Sequence, residues 1–346
     1  MNADRMFDPI AVHARLLTLD THIDIPWPDR GDAFGPSERR VDLAKMQAGG
    51  LKAGCFAAYV PQGPRSAEAE QAAFERAEAM LAAIAAMAGR RNGIEARLAQ
   101  RAAEIETVVR EGAIAIVPAV ENGYAIGTEL GRLDALARLG ARYLTLTHNG
   151  HNALGDAAVP RADLGDTKAL HGGLSDFGRA AIARMNALGM LVDVSHAAKS
   201  TMLQAVAASR APVAATHSSI HALCPHPRNL DDEQLDALAE SGGVVQITGV
   251  PGFLRRDAKD AEISIIDFAD HIDYAVRRIG IAHVGISSDF DGGGGFRGWH
   301  DASESRNLTS ELLRRGYDEQ AVAALWGGNF LRVMRESEAR AAGQVP

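Results

Sequence analysis

Eight short runs of β-branched and small apolar residues recur along this chain, each followed by a stretch with helical periodicity. The runs fall at 16–24, 51–60, 113–121, 143–148, 190–196, 213–218, 243–248 and 283–289. Strands that alternate with helices imply a parallel sheet wound by helices. Several runs are apolar on both faces, as in Ala-Ile-Ala-Ile-Val-Pro-Ala-Val at 113–120. Such runs suit strands covered on each side. Eight strand–helix units predict a (β/α)8 TIM barrel, for which 346 residues is an ordinary length. Between them, Phe177, Ala181, Ile182, Met185 and Leu188 share one helical face. Ser175 before Asp176 marks the start of that helix and Gly189 its end.

Segment 66–110 is too long for one crossover and is rich in Ala and Glu. Asn92-Gly93 is expected to split it into two helices that form an insertion on the outside of the barrel. No Pro/Ser-rich linker interrupts the chain, so 1–346 reads as a single domain. Hydrophobic residues make up 47% and aromatics only 5%, so Ala, Val, Leu and Ile must fill the core. Acidic and basic residues are interspersed at a net charge of −8, which excludes the clustered basic face of a nucleic-acid binder. Two cysteines, Cys55 in an apolar run and Cys224 in a loop, do not make a disulfide framework. Residues 1–14 carry early acids and no apolar leader, and no run is long enough to span a bilayer. The expectation is a cytoplasmic protein without a membrane partner.

Barrel enzymes draw their catalytic groups from the C-terminal ends of the strands. Here those ends collect metal-type side chains. The first strand closes on His22-Ile23-Asp24, whose alternate residues point to one face. Glu121, His148, His196, His217 and Asp289 close five others. Imidazoles and carboxylates without a thiolate have the composition of a zinc site. The set exceeds what one tetrahedral ion needs and suits two ions sharing a bridging carboxylate, with a water activated between them.

Plainer readings stand beside these. His22 and Asp24 could be a buried polar pair, and His196 or His217 alone would be an ordinary core histidine. Glu121 precedes Asn122-Gly123 and could be a turn residue. Asp291 shares a face with Asp289 but falls in the loop, where it would cap backbone amides. His151 rivals His148 and is expected to be a solvated loop residue. Arg228, in a Pro-Arg-Asn loop, could be a surface turn. His13, His171, His221, His226, His271, His283 and His300 read as structural or exposed. The glycine run 292–295 lacks the Lys and Ser/Thr of a phosphate loop and reads as a mobile lid or turn.

Several motifs together resemble one known family. They are Asp-Thr-His-Ile-Asp at 20–24, Tyr-Leu-Thr-Leu-Thr-His-Asn at 143–149, Asp-Val-Ser-His at 193–196 and Ala-Thr-His-Ser-Ser at 215–219. Pro-Arg-Asn-Leu at 227–230, Ser-Asp-Phe-Asp-Gly at 288–292 and Gly-Gly-Asn-Phe-Leu-Arg-Val at 327–333 complete the set. In that order they are similar to the renal (membrane) dipeptidases, peptidase family M19 of the metal-dependent amidohydrolases. The resemblance implies a zinc-dependent dipeptidase that cleaves L-Xaa-L-Xaa and L-Xaa-D-Xaa substrates with a metal-bridging hydroxide. It implies two Zn2+ per chain: His22, Asp24 and Asp289 hold the first, His196 and His217 the second, and Glu121 bridges them. Asp289 would accept the water's proton and return it to the leaving amine. His148 would polarise the scissile carbonyl or bind the oxyanion, and Arg228 would pair with the substrate's carboxylate. Asp193 or Thr216 would orient the imidazoles. A homodimer is implied as well.

The chain departs from that family at 246–253, where Gln-Ile-Thr-Gly-Val-Pro-Gly-Phe replaces an Asn-Phe-Tyr-like run. After His148 it reads Asn-Gly-His-Asn. These departures leave room for another small amide or a lactone as substrate. An inactive metal-binding protein is disfavoured because every candidate ligand is present.

Overall fold

The computed structural model describes residues 8–342 apart from Arg30, Asp257, Ala258, Asp260 and Ala261. Of the two early acids, Asp4 lies outside the described residues, while Asp8 caps the helix Pro9–Arg15. Eight parallel strands form the sheet: β1 (Leu19–Asp24), β2 (Ala53–Tyr59), β3 (Ile114–Glu121), β4 (Tyr143–Thr145), β5 (Leu191–Asp193), β6 (Ala214–Ser218), β7 (Val244–Thr248) and β8 (Val284–Ser287). They pair in sequence order, each with the next. At the rim β8 returns to β1. Asp289 N–H donates to the His22 carbonyl at 3.1 Å, and Asp24 N–H to that of Phe290 at 3.0 Å. The sheet is thus a nearly closed (β/α)8 barrel, and all eight expected runs fall on its strands.

Local chemistry explains the helices between them. Over Asp176–Leu188, the Ser175 hydroxyl accepts from Gly178 N–H and Gly189 ends the helix at φ 65°. Asp231 and Gln234 form a reciprocal capping box at Asp232–Glu240. Outward-facing Val245, Ile247, Val284 and Ile286 are buried against the surrounding helices. Full burial of such side chains contributes roughly 1.5–3 kcal/mol each. A second buried cluster takes Leu19, Cys55, Val117, Tyr143, Leu191, Ala214 and Val244 from seven strands. Only the barrel interior can bring residues of so many strands together.

Two expectations need correction. Segment 66–110 does contain two helices, Ala67–Ala85 and Ala102–Arg110, but a β-hairpin separates them. Asn92-Gly93 is its turn, with φ of 55° and 78°. The second hairpin strand, Ile94–Leu98, adds to the sheet beside the first half of β3. The insertion is therefore partly built into the barrel wall. The runs ending in His148, His196 and Asp289 also leave the ladder early, so these three residues stand on loops just beyond their strands. Left-handed backbone at His196 (φ 65°) and Asp289 (φ 57°) is incompatible with strand geometry.

Among the described residues, no helix is long and apolar enough to cross a membrane. Both cysteines are buried and neither forms a disulfide.

Candidate metal centre

β1 delivers the first pair. Its register to β2 shifts between Asp20 and Ile23, so His22 lies within that irregularity and Asp24 just beyond it. His22 is fully buried, and its Nε2 lies 3.6 Å from Asp24 Oδ1 and 3.6 Å from Glu121 Oε2. Glu121 is the last residue of β3 and is buried. Its other oxygen, Oε1, lies 3.1 Å from His196 Nε2, 3.3 Å from His217 Nε2 and 3.8 Å from His148 Nε2. One carboxylate thus turns an oxygen toward each half of the cluster.

The imidazole rings crowd together. His22 and His217 have centroids 3.8 Å apart, and His148 and His196 are at 4.1 Å. Among the described residues, His22–Glu121–His217 and Glu121–His148–His196 each bring their ligand atoms within 4.8 Å of one another.

Asp24 and Asp289 form the acidic side. A Cβ on Gly292 would lie 2.3 Å from Asp289 Oδ1 and 2.7 Å from Asp24 Oδ2, so only glycine fits between the two carboxylates. The run 292–295 is a tight turn: Gly292 and Gly294 N–H donate to the Asp289 carbonyl at 3.1 and 2.7 Å. Four of the five non-glycine residues with positive φ among the described residues lie at this rim, namely Asn122, His196, Asp289 and Asp291. Backbone strain of about 1–3 kcal/mol per residue clusters at functional sites because the surroundings impose it.

Divalent cations fit this donor set. Two ligand atoms sharing one tetrahedral zinc at about 2.0–2.2 Å stand roughly 3.4 Å apart, close to the separations above. His22 Nδ1 lies 2.8 Å from the Tyr143 hydroxyl, which donates to the Thr21 carbonyl at 3.0 Å. A hydroxyl has one proton, so it accepts from Nδ1–H and leaves Nε2 as the ligand nitrogen. The Nε2 atoms of His22 and His217 and Asp24 Oδ1 are buried without a hydrogen-bond partner. Unpartnered buried acceptors facing a carboxylate call for a cation between them. His22, Asp24, Glu121, His196 and His217 would hold such cations, with Asp289 beside Asp24.

Burial and neighbouring charge set the protonation. Burial pushes Asp289 up to about 7 and Asp24 up to about 6. Burial alone would lower His22, but Glu121 and Asp24 raise it well above the ordinary value. Burial pushes His217 down to about 3 and also lowers His148 and His196. Metal ligands must be deprotonated to bind. Cation affinity of chelator-stripped protein is therefore expected to rise with pH from about 6 upward, as Asp24 and Asp289 ionise and His22 gives up its extra proton. Each displaced proton contributes about tenfold per pH unit below its pKa. Competition titrations between pH 5.5 and 8 measure this; an affinity flat across that range would remove these carboxyls from the ion's surroundings.

His148 stands at the mouth with its side chain 20% exposed, its ring 4.7 Å from that of Tyr59. His151 is not solvated. It is fully buried, accepting from Ala157 N–H at Nδ1 (3.0 Å) and meeting the Thr167 carbonyl at Nε2 (2.9 Å). Arg228 is not a surface turn: it is 4% exposed, and its Nη2 donates to the His217 carbonyl at 3.0 Å. Its Nε is buried without a partner, and burial lowers the guanidinium to about 10. Asp291 caps the Arg40 and Val41 amides at 2.8 and 3.2 Å, as expected of the loop acid. His13 and His271 are satisfied core histidines. Sequence reasoning missed Tyr143 behind His22, Asn149 behind His196 (3.3 Å) and Tyr59 over His148. Tyr59 had a signal, because it ends β2 at the same rim.

The membrane dipeptidase (peptidase family M19) model matches residues 9–344. The chain is 33% identical to dipeptidase verJ of Clonostachys rogersoniana, over 97% of this chain and 88% of that protein. The segments matched to two further curated dipeptidases span 52% and 56% of those proteins, about half their length. Among solved structures, the probable dipeptidase PvdM from Pseudomonas aeruginosa superposes with a TM-score of 0.90 at 31% identity, covering 96% of this chain and 98% of that one. A Rhodobacter sphaeroides metallo peptidase, liganded with a phosphinate mimic of L-Ala-D-Ala, gives 0.80 at 27% identity, covering 93% and 99%.

Proposed function

The chain belongs to the membrane dipeptidase family, peptidase family M19, and from that premise we propose that it hydrolyses dipeptides with two zinc ions. The observation that carries this reading is Glu121, with one oxygen toward His22 and the other toward His196 and His217. Two zinc ions bound there would lower the pKa of a water held between them, supplying hydroxide near neutral pH. The rest is the work of side chains. Asp289 accepts the water's proton and later gives it to the leaving amine. His148, kept neutral by burial, turns a ring N–H toward the carbonyl oxygen as negative charge develops there. Arg228 holds the carboxylate at the substrate's C-terminus. The phosphinate-bound relative supports acceptance of a D-residue at that position.

A panel of L-Xaa-L-Xaa and L-Xaa-D-Xaa dipeptides, assayed with zinc-loaded protein, tests the proposal. Turnover of either series supports it, and no turnover on any member sinks the dipeptide assignment. The segment at 246–253 motivates a second panel of small amides and lactones, because Phe253 lies against Arg228, with the guanidinium carbon 5.5 Å from its ring centroid.

Arg228→Ala gives a separate outcome. A charge-assisted hydrogen bond contributes about 1.5–3 kcal/mol, so KM for dipeptides should rise roughly 10- to 150-fold with zinc still bound. An unchanged KM would refute the carboxylate role.

A further inference from the structure

His217 has a charged group behind it that the other ligand histidines lack. Asp193 ends β5 and is fully buried, and four donors converge on its carboxylate. Oδ1 accepts Ser195 N–H at 3.0 Å and Thr216 N–H at 2.9 Å. Oδ2 accepts the hydroxyls of Thr145 at 2.6 Å and Thr216 at 2.7 Å. The Thr216 oxygen also lies 2.9 Å from His217 Nδ1. Its single proton is committed to the carboxylate, which can only accept. Nδ1 must therefore donate, and the lone pair of Nε2 must face Glu121 Oε1 at 3.3 Å. By contrast, Tyr143 relays His22 to a neutral backbone carbonyl, and His196 Nδ1 meets the Asn149 amide oxygen at 3.3 Å.

We propose that Asp193, acting through the Thr216 hydroxyl, fixes the tautomer of His217 and thereby sets the cation affinity of the His196/His217 half of the centre. Asp193 and Thr216 are positioning residues, and the proposal rests on the metal-centre reading given above. No proton leaves the array in this role: the carboxylate, the hydroxyl and the N–H point one way, and the ligand nitrogen is the one left bare.

Asp193→Asn isolates the effect. Two backbone N–H groups face the Oδ1 side and cannot reverse, so the amide oxygen must take that side. The amide nitrogen then faces the two threonine hydroxyls and donates to them. Thr216 is left to turn its own proton toward His217 Nδ1, which moves the ring proton to Nε2, where a cation should sit. The substitution keeps size and shape, so the fold is retained while the tautomer inverts. Thr216→Val removes the relay at similar volume, and Thr216→Ser preserves it.

Two readouts decide the matter, and neither uses substrate. Histidine 15N spectra of the zinc-stripped protein should show His217 protonated at Nδ1 in the natural chain and in Thr216→Ser, and at Nε2 in Asp193→Asn. Zinc affinity, by competition with a chromophoric chelator at fixed pH, should fall about 10- to 100-fold in Asp193→Asn and Thr216→Val. In Thr216→Ser it should stay within about threefold, well below the roughly 10- to 100-fold loss that a missing outer-shell partner produces. An unchanged tautomer in Asp193→Asn, or zinc affinity within threefold of the natural chain in both disrupting variants, would overturn the proposal. Loss of melting temperature alone, with tautomer and affinity retained, would mark Asp193 as mere glue between β4, β5 and β6 and overturn it too. If no dipeptide is hydrolysed but these shifts occur, the functional reading fails and the relay stands. If the natural chain binds no zinc, the 15N spectra still decide the tautomer.

Discussion

Under the proposed two-zinc reading, Glu121→Ala is expected to lower zinc from two ions per chain to less than one and to abolish hydrolysis at the same time. The Glu121 carboxylate turns one oxygen toward each half of the cluster. Its Oε2 is 3.6 Å from His22 Nε2, while its Oε1 is within 3.1–3.8 Å of His196, His217 and His148. Removing the carboxylate leaves four crowded imidazoles without the anion that separates them. Two cations brought that close would then repel each other without a shared ligand, so the losses should be coupled rather than sequential. Because a dinuclear site activates water through both ions, kcat/KM should fall by at least about 1000-fold. Glu121→Gln holds the volume but offers one neutral oxygen in place of a shared anion, and it should lose metal as well. Elemental analysis after gel filtration, with circular dichroism to show that the fold persists, measures the outcome. Retention of both zinc ions in Glu121→Ala would remove Glu121 as the bridge.

The barrel was legible because its determinants are local. Each strand is a short apolar run, and the helix over Asp176–Leu188 carries its cap and its terminating glycine within a few residues of the periodic face. The rim was legible for a related reason: a parallel barrel puts every strand's C-terminal end at one mouth, so His22, Glu121 and His217 could be gathered without knowing a distance. The hairpin in segment 66–110 has a local signal that its surroundings outweigh. Asn-Gly between Arg91 and Ile94 is the strongest short hairpin signal, yet the Ala- and Glu-rich surroundings read as helix.

Other features had no local trace. Left-handed backbone at His196 and Asp289 is rare for residues with a Cβ, and nothing in the neighbouring sequence announces it. Tyr143 supports His22 across 121 residues of sequence, and Arg228 is buried by packing rather than by its own loop chemistry. His151 looked solvated because its partners, Ala157 N–H and the Thr167 carbonyl, are backbone groups that any residue supplies. The same limit hid the proton direction behind His217. The residues of that array fall in three motifs, at 143–149, 193–196 and 215–219, but the geometry that orders them needs β4, β5 and β6 side by side.

Asp289→Asn carries the second large expected effect: kcat should fall by about 100- to 10,000-fold, the usual contribution of a positioned acid–base group, while zinc is retained at saturating concentration. The substitution is nearly isosteric. The backbone at 289 stays anchored through its own N–H to the His22 carbonyl and through the Gly292 and Gly294 amides on its carbonyl. An asparagine oxygen can still lie beside Asp24, but the amide cannot take a proton from water or return one to the leaving amine. Burial places the Asp289 carboxyl up at about 7 in the chain's own field, suited to exchanging protons near neutrality; bound cations would lower it. The natural protein should therefore lose activity on the acid side as this group is protonated, and Asp289→Asn should lose that limb of the kcat–pH profile along with the rate. A variant that kept both its rate and its acid limb would shift proton transfer to His148, a titratable group at the mouth whose side chain is 20% exposed. His148→Ala would then have to reproduce the deficit, whereas under the present assignment it should impair oxyanion stabilisation and leave the acid limb in place.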